Sequence, residues 1–228
     1  LDGGVALGSW GEARVGLLTG KGKASTSVAV SWLPDEGSHR LGGVTFGFVA
    51  DTLDQRVFPS TGTYASVGAM LSDTKLGADF GYQTLGFNVT RPMTHGANVW
   101  SLSLRGGSDF GSEAPVYDQF RAGGLFNFSG YHVNELIGRE YGLAAIGYRR
   151  RLGWLFKTLE TAAWVGGTLE VGNVYKRADG TSARGALTGG SVYLGANSML
   201  GPVYLAYGLS EGGRSTWYLT IGSSLEGH

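Results

Sequence analysis

The sequence predicts an all-β protein, an antiparallel transmembrane β-barrel. Apolar residues recur at every second position in segments of about ten residues, the length that a tilted strand needs to span a bilayer. The alternate positions carry glycine and polar residues and not a uniformly charged face. Aromatic residues near the segment ends are typical of the belts that such barrels place at the two membrane surfaces. A soluble β-rich binding protein would also alternate, so it stays open as an alternative.

Composition fits this class and excludes several others. The 228 residues include 41 glycines, no cysteine and no net charge, with 42% hydrophobic and 16% charged residues. One domain, 1–228, with a sizeable apolar area is expected. The glycines have no Gly-X-Y period, so collagen is excluded. The absence of cysteine removes disulfides and thiolate metal sites, and zero net charge argues against a nucleic-acid partner.

Neither a membrane helix nor a targeting signal is predicted. No run of about 18 apolar residues is present, as a transmembrane helix would need. Residues 1–30 lack a basic region followed by an apolar core, so no signal peptide is expected. We therefore expect either a cytosolic chain or a mature or truncated piece of an exported protein.

The first half of the chain predicts seven strands joined by short polar turns. The first clear hairpin has its turn at Gly20-Lys21-Gly22-Lys23. In the segment 41–51, Val44, Phe46 and Phe48 share one face and glycine or threonine the other. The predicted strands are, in order, 3–10, 13–20, 26–33, 41–51, 64–71, 76–89 and 97–105.

The second half predicts a long loop, 106–138, and then five strands. In 161–171, Trp164, Thr168 and Glu170 share one face, and in 215–222 Trp217 alternates with Tyr218. Because bacterial barrels of one chain have an even number of strands, about 12 are expected in total. The aromatic belt is predicted to comprise Trp100, Trp164, Tyr207 and Trp217.

Several motifs resemble the bacterial surface antigen barrel, and more narrowly the C-terminal translocator of patatin-like phospholipases, the type Vd autotransporters. The strongest is GGLFNFSGY at 123–131, followed by ELIG at 135–138 and YRRRL at 148–152. Four others agree, in the family's order: DTLD at 51–54 with Phe58-Pro59 and Gly62, LGAD at 76–79, LEVGN at 169–173, and GPVYL at 201–205 with Tyr207-Gly208.

The resemblance implies a bacterial outer-membrane barrel whose long extracellular loop folds back into the lumen. Phe128, Ser129, Gly130 and Tyr131 would form the tip of that loop. In the wider superfamily the tip reads Arg-Gly-Phe or Arg-Gly-Tyr, and its arginine pairs with an acidic residue of the wall. Ser129 stands at the arginine position here, which argues against an ion-pair latch and favours the patatin-linked branch.

The resemblance also implies partners and a longer parent protein. A periplasmic repeat domain and an N-terminal patatin lipase, exported as the passenger of the same polypeptide, would precede the barrel. Family barrels have sixteen strands, so the first few are missing or this barrel closes with fewer. Family members end on an aromatic residue, whereas Leu225 stands here and Glu226-Gly227-His228 resembles the start of a purification tag.

Three charged residues are candidates for the lumen. Glu170 lies on the glycine side of its strand, where it would anchor the folded-in loop or pair with Arg149 or Arg151. The cluster at 149–151 has two further interpretations: a phosphate-binding patch for lipopolysaccharide, or ordinary snorkelling at the membrane surface.

The motif of Asp51, Asp54, Pro59 and Gly62 is interpreted as a turn. Two carboxylates three residues apart could ligate a cation, but before Phe-Pro they are expected to bond their own backbone. The histidines lie far apart and form no ligand set. We expect no metal and no cofactor.

Catalytic chemistry is not predicted for this chain. A patatin lipase needs a Gly-x-Ser-x-Gly elbow, and the sequence contains none. Gly-Lys-Gly-Lys at 20–23 precedes no helix and is not a phosphate loop. The expected function is therefore the translocator or anchor of an exported lipase. A stand-alone channel or insertase-like barrel is the alternative, and outer-membrane lipids and a second copy in a homodimer are the other candidate partners.

Overall fold

Twelve β-strands form nearly all the regular structure of the computed structural model, which describes residues 1–23, 38–154, 162–181 and 185–222. Eleven of them build one antiparallel meander in which each strand pairs with its neighbours along the chain. They are β1 (Asp2–Ala6), β2 (Gly11–Lys23), β3 (Ser38–Asp51), β4 (Tyr64–Ser72), β5 (Tyr82–His95), β6 (Asn98–Ser108), β8 (Leu136–Trp154), β9 (Ala162–Arg177), β10 (Leu187–Ser198), β11 (Gly201–Ser210) and β12 (Arg214–Ile221). The short β7 (Phe120–Ala122) lies within the long loop and pairs with β8.

Helical structure in the described ranges is limited to three short 3₁₀ turns, Thr74–Leu76, Val116–Asp118 and Glu211–Gly213. No helix among these residues has the length and apolar character needed to cross a membrane. The prediction of an all-β antiparallel fold with about 12 strands is confirmed. Within the described residues β1 and β12 do not pair with each other, so the sheet is open along that seam.

Several predicted boundaries were wrong: the strand predicted at 3–10 ends at Ala6, and the predicted loop 106–138 is shortened because β6 continues to Ser108 and β8 begins at Leu136. Gly20 to Lys23 is not a turn: it continues β2 and pairs with Ser38 to Leu41 of β3. The predicted strand 76–89 begins only at Tyr82, because Asp73 caps a 3₁₀ turn and Gly77 ends it in the left-handed conformation (φ 95°). The predicted strand 26–33 and the C-terminal residues 225–228 lie outside the described residues.

The two faces of the sheet carry the predicted side chains. On β9 and β12 the residues Leu169, Trp217 and Leu219 point outward and are 70–73% exposed. Their neighbours Glu170 and Tyr218 point inward and are buried. Large apolar residues are exposed on the outer face, and polar and aromatic residues line the inner face. A water-soluble sandwich has its apolar side chains inside, so this distribution indicates a wall surrounded by lipid.

The connections define two ends of the sheet. Tight turns at 96–97 and 199–200 mark one end, which we call the turn end, together with the segment 52–63. The opposite end, the loop end, carries the long segment 109–135. Because outer-membrane barrels have short periplasmic turns and long extracellular loops, the turn end faces the periplasm.

Candidate functional site

The long loop 109–135 turns back against the inner face of the sheet. Phe126, Phe128 and Tyr131 of this loop are all buried. Phe126 and Phe128 have left-handed backbones (φ 63° and 87°), a conformation that costs about 1–3 kcal/mol and persists only where the surroundings enforce it. The loop is therefore held in a fixed, strained shape inside the lumen.

Ser129 at the loop tip is fastened to Glu170 on β9. The Ser129 amide donates to Oε2 of Glu170 at 2.5 Å, and the Ser129 hydroxyl donates to Oε1 at 2.8 Å. The Thr168 hydroxyl donates to the same Oε1 at 2.8 Å. Both Ser129 and Glu170 are buried, so these are charge-assisted hydrogen bonds shielded from water. We call this group the latch.

The residues after Ser129 are clamped by β12. The Gly130 amide donates to the Tyr218 hydroxyl at 2.9 Å, and that hydroxyl donates to the Tyr131 carbonyl at 2.7 Å. The Thr216 hydroxyl donates to the Gly130 carbonyl at 3.1 Å. Gly130 itself has φ 96°, and a Cβ there would lie 2.6 Å from the Ser210 amide nitrogen. This position therefore admits glycine alone without a shift of the loop or of β11.

Glycines of the wall leave room for this tip. A Cβ on Gly208 of β11 would lie 2.6 Å from the Gly130 amide nitrogen, and one on Gly189 of β10 would lie 2.9 Å from the Ser129 carbonyl oxygen. Part of the glycine excess thus has a packing cause, because the backbone of the loop runs directly against the backbone of the wall.

Phe126 packs deeper in the lumen. Its ring meets the edges of Tyr193 and Tyr204 at centroid distances of 5.1 and 5.5 Å. Arg105 of β6 donates from Nη1 to the Phe126 carbonyl at 3.1 Å. The loop is therefore held at two levels, by the latch and by this aromatic contact.

The second loop, 52–63, is organised by the two predicted carboxylates. Asp51 accepts from the Leu53 amide at 3.0 Å, and Asp54 accepts from the Ser60 and Thr61 amides at 2.7 and 3.1 Å. Both carboxylates thus bond the backbone of their own loop. In the described ranges no group of three or more His, Asp or Glu side chains is placed to hold a metal ion.

The second loop enters the lumen from the turn end, and Phe58 is its residue that packs there. Its ring is 2% exposed and lies 5.7 Å from Trp164 and 5.1 Å from Tyr204, measured between centroids. Arg149 of β8 donates to the carbonyl of Pro59. Tyr204 touches Phe126 on one side and Phe58 on the other, so the two loops meet at one tyrosine.

A cavity of about 40 Å³ lies between the two loops. Its charged lining groups are Arg105, Arg149 and Glu170. A space of this size holds a few water molecules and is far too small for a polypeptide. The two loops therefore leave only a small space between them on the inner face of β5, β6, β8, β9 and β10.

The remaining predicted residues divide between the two faces. Trp100 and Trp217 are exposed on the outer face, where each stacks at a tilt on a tyrosine, Tyr148 and Tyr207 respectively, at 4.9 Å. Assigning Trp164 to the outer belt was wrong: it is buried on the inner face and packs against Phe58.

The three arginines at 149–151 do not all lie on one face, because successive side chains of β8 point to opposite sides of the sheet. Arg149 points into the lumen, whereas Arg150 is exposed on the outer face. Arg151 is exposed near the turn end, where its amide donates to the Ala97 carbonyl at 3.1 Å. Glu170 accepts hydrogen bonds from Ser129 and Thr168, so the bonds that would anchor the loop are in place.

The fold and this site define a class: a bacterial outer-membrane β-barrel with a long loop folded inward against its wall. Residues 19–224 match the Omp85 superfamily domain, and the chain belongs to that superfamily. A comparison with curated proteins finds no match. Among solved structures, the chain is similar to BamA from Haemophilus ducreyi lacking POTRA domains 1–3, with a TM-score of 0.72 and 14% identity. The alignment covers 96% of this chain and 52% of that one, so the chain spans about half its length.

These findings confirm the outer-membrane location and overturn the soluble alternative. Sequence reasoning missed that Arg105, Tyr204 and Tyr218 hold the loops; of these, Tyr204 lies in the GPVYL motif and the other two lie in no motif. Their signal was weak: each lies at an inward position of its strand, which the alternation with exposed Leu104, Leu205 and Leu219 shows.

Proposed function

We propose that this chain is the membrane-embedded translocator and anchor of a longer exported protein. The observation that carries the proposal is the latch, which ties the tip of the long loop to Glu170 in the middle of the lumen wall. A hydrogen-bonded latch of this kind closes the barrel at rest and is released at a cost of a few kcal/mol, without breaking the wall. Membership of the Omp85 superfamily supports the role of a translocator or insertase.

The passenger in this proposal is a patatin-like phospholipase, as in type Vd autotransporters. Support comes from the loop motif at 123–131, with Ser129 in place of arginine, and from its four companion motifs. The barrel itself carries no nucleophile elbow, so lipase activity belongs to a part of the polypeptide before the barrel.

One experiment tests the passenger directly. Outer membranes of the source cell are probed with an antibody to β12 and labelled in parallel with a serine-hydrolase probe. We expect a band far heavier than 24.0 kDa that also takes the label. A band close to 24.0 kDa without label would refute the lipase passenger and leave a complete small barrel.

A stand-alone insertase or channel is the second candidate, and the similarity to BamA favours it. The two candidates differ in what the lumen does. A channel would release the loop spontaneously, so the unaltered chain would conduct ions in planar bilayers. A translocator would need the same release only while its passenger crosses.

A further inference from the structure

Two arginines lie on the outer face of the sheet near the turn end. Arg91 of β5 and Arg150 of β8 are both exposed, whereas their strand neighbours Thr90 and Arg149 are buried on the inner face. In the register of the sheet Arg91 stands opposite Leu102, and Arg150 stands opposite Asn98. Both arginines therefore flank β6 from outside, four residues from the turn-end limits of their strands.

An aromatic pair lies on the sheet between the levels of the two arginines. The rings of Trp100 and Tyr148 lie 4.9 Å apart at a tilt, and the Tyr148 hydroxyl donates to Asn98 Oδ1 at 2.8 Å. Arg91 stands diagonally across from Trp100, and Arg150 two residues from Tyr148; strand geometry puts either separation at roughly 7 Å between Cα atoms. Each arginine side chain is long enough to bring its guanidinium group to the level of the rings.

These two cations have no counter-charge among the residues that the structure describes. Ion pairs in the described ranges include those of Arg14, Arg40, Arg139, Lys176 and Arg214. No hydrogen bond or ion pair of the Arg91 or Arg150 side chain occurs within those ranges. An unpaired arginine on a lipid-facing wall is costly unless it meets an anion or the membrane surface.

An apolar groove begins at Arg91 and runs away from the turn end. Its floor is the small residue Ala144, and its sides are Leu102, Leu104, Ile146, Leu169 and Val171. Glu170 also borders it, but the Glu170 carboxylate is engaged by Ser129 on the opposite face. The groove therefore presents carbon to the bilayer, with a cation at the rim nearest the periplasm.

We infer that this surface binds one anionic phospholipid of the periplasmic leaflet. The phosphate lies between Arg91 and Arg150, the glycerol region meets Trp100 and Tyr148, and an acyl chain occupies the groove over Ala144. Arginine suits a phosphate oxyanion, and tryptophan and tyrosine suit the interfacial level. The position at the turn end selects a phospholipid and not lipopolysaccharide, because short turns face the periplasm.

Native mass spectrometry of the detergent-purified chain tests this with two lipids, phosphatidylglycerol and phosphatidylcholine. We expect one phosphatidylglycerol molecule to be retained in preference to phosphatidylcholine. Arg91→Gln and Arg150→Gln should each weaken its binding about fivefold, the effect expected for one arginine near a membrane surface. The control is Arg56→Gln with Lys75→Gln, which removes the same two charges from exposed loop positions and should leave binding unchanged.

Two results would overturn the inference. One is equal retention of the two lipids by the unaltered chain; the other is equal loss of phosphatidylglycerol in the control and in the Arg91/Arg150 double variant. Heat-modifiable migration, compared for all variants, shows that the barrel is intact. Ala144→Phe tests the acyl chain separately. Because the phenyl ring fills the groove without a change of charge, retention of phosphatidylglycerol should fall. Unchanged retention would refute the groove as the binding site of the acyl chain.

Discussion

Replacing Ser129 by alanine measures the strength of the latch. The change removes one buried hydrogen bond to a carboxylate, from the hydroxyl to Glu170 Oε1 at 2.8 Å. Such a bond contributes about 1.5–3 kcal/mol, because the carboxylate is charged and water is excluded. The amide bond to Oε2 and the bond from Thr168 stay in place, so the carboxylate keeps two partners. We therefore expect about 2 kcal/mol, which corresponds to about a thirtyfold larger population of the undocked loop.

Hydrogen exchange followed by mass spectrometry checks this value. Amides of 123–131 should exchange about thirtyfold faster in the Ser129→Ala variant, while those of β9 and β12 keep their rate. Ser215→Ala is the matched control, since Ser215 is exposed on β12 and should leave the loop unchanged. Glu170→Gln should have the larger effect, because a neutral amide has one acceptor oxygen in place of two. Equal exchange in Ser129→Ala and the control would refute the latch.

Three further perturbations test the rest of the site. Gly130→Val should sharply reduce the fraction of heat-modifiable barrel, since a Cβ at φ 96° would press on the Ser210 amide. Phe58→Ala should destabilise the docked second loop by about 3–5 kcal/mol, the usual cost of deleting a buried ring, and raise conductance in planar bilayers. The pKa of Asp79 is lowered by hydrogen bonds from the Arg40 amide and guanidinium, so acid should loosen 77–81.

Each of these has a control of its own. Gly142→Ala places a Cβ where no atom lies within 4 Å and should assemble normally; equal assembly of Gly130→Val would contradict the clamp. Phe80→Ala removes a ring that is exposed and should not change conductance. For Asp79, the lowered pKa means that the stabilisation is complete above the ordinary value of 3.8 and is lost as the pH falls through the folded-state value. If the protection of the 77–81 amides, relative to their intrinsic exchange rate, did not fall in acid, the proposed role of the Asp79–Arg40 contact would be refuted. Asp79→Asn should show no such fall.

The faces of the strands could be predicted because alternation is local. Glu170, Thr168 and Tyr218 lie on the inner face as their parity indicates. The same rule would have placed Trp164 correctly, since it shares parity with Glu170; the error came from assigning an aromatic residue by its distance from a strand end. The position of a residue along a strand sets the depth of its side chain in the membrane. Whether that position is odd or even in the alternation sets which face of the sheet the side chain is on.

The contacts that close the lumen could not be predicted from local patterns. Gly130 and Tyr218 are 88 residues apart, and Arg149 and Pro59 are 90 apart. Nothing in the neighbourhood of Phe58 distinguishes a ring that enters the lumen from one that covers a turn. The glycine excess was visible in the sequence, but its cause at Gly208 appears only when the loop lies against the wall.

The meeting of the two loops at Tyr204 couples their movements. Its ring lies against Phe126 from the loop end and Phe58 from the turn end, so withdrawing either loop exposes apolar surface that the other had covered. Burial of an aromatic side chain contributes about 1.5–3 kcal/mol, and part of that is shared between the loops. Each loop is then more stable in place while the other is docked, and the loss of one favours the loss of the other. On the proposed translocator role, a passenger that displaces 52–63 from the periplasmic side thereby weakens the hold on Phe126, and the loop is then held by the latch at Ser129 and by the β12 contacts of Gly130 and Tyr131.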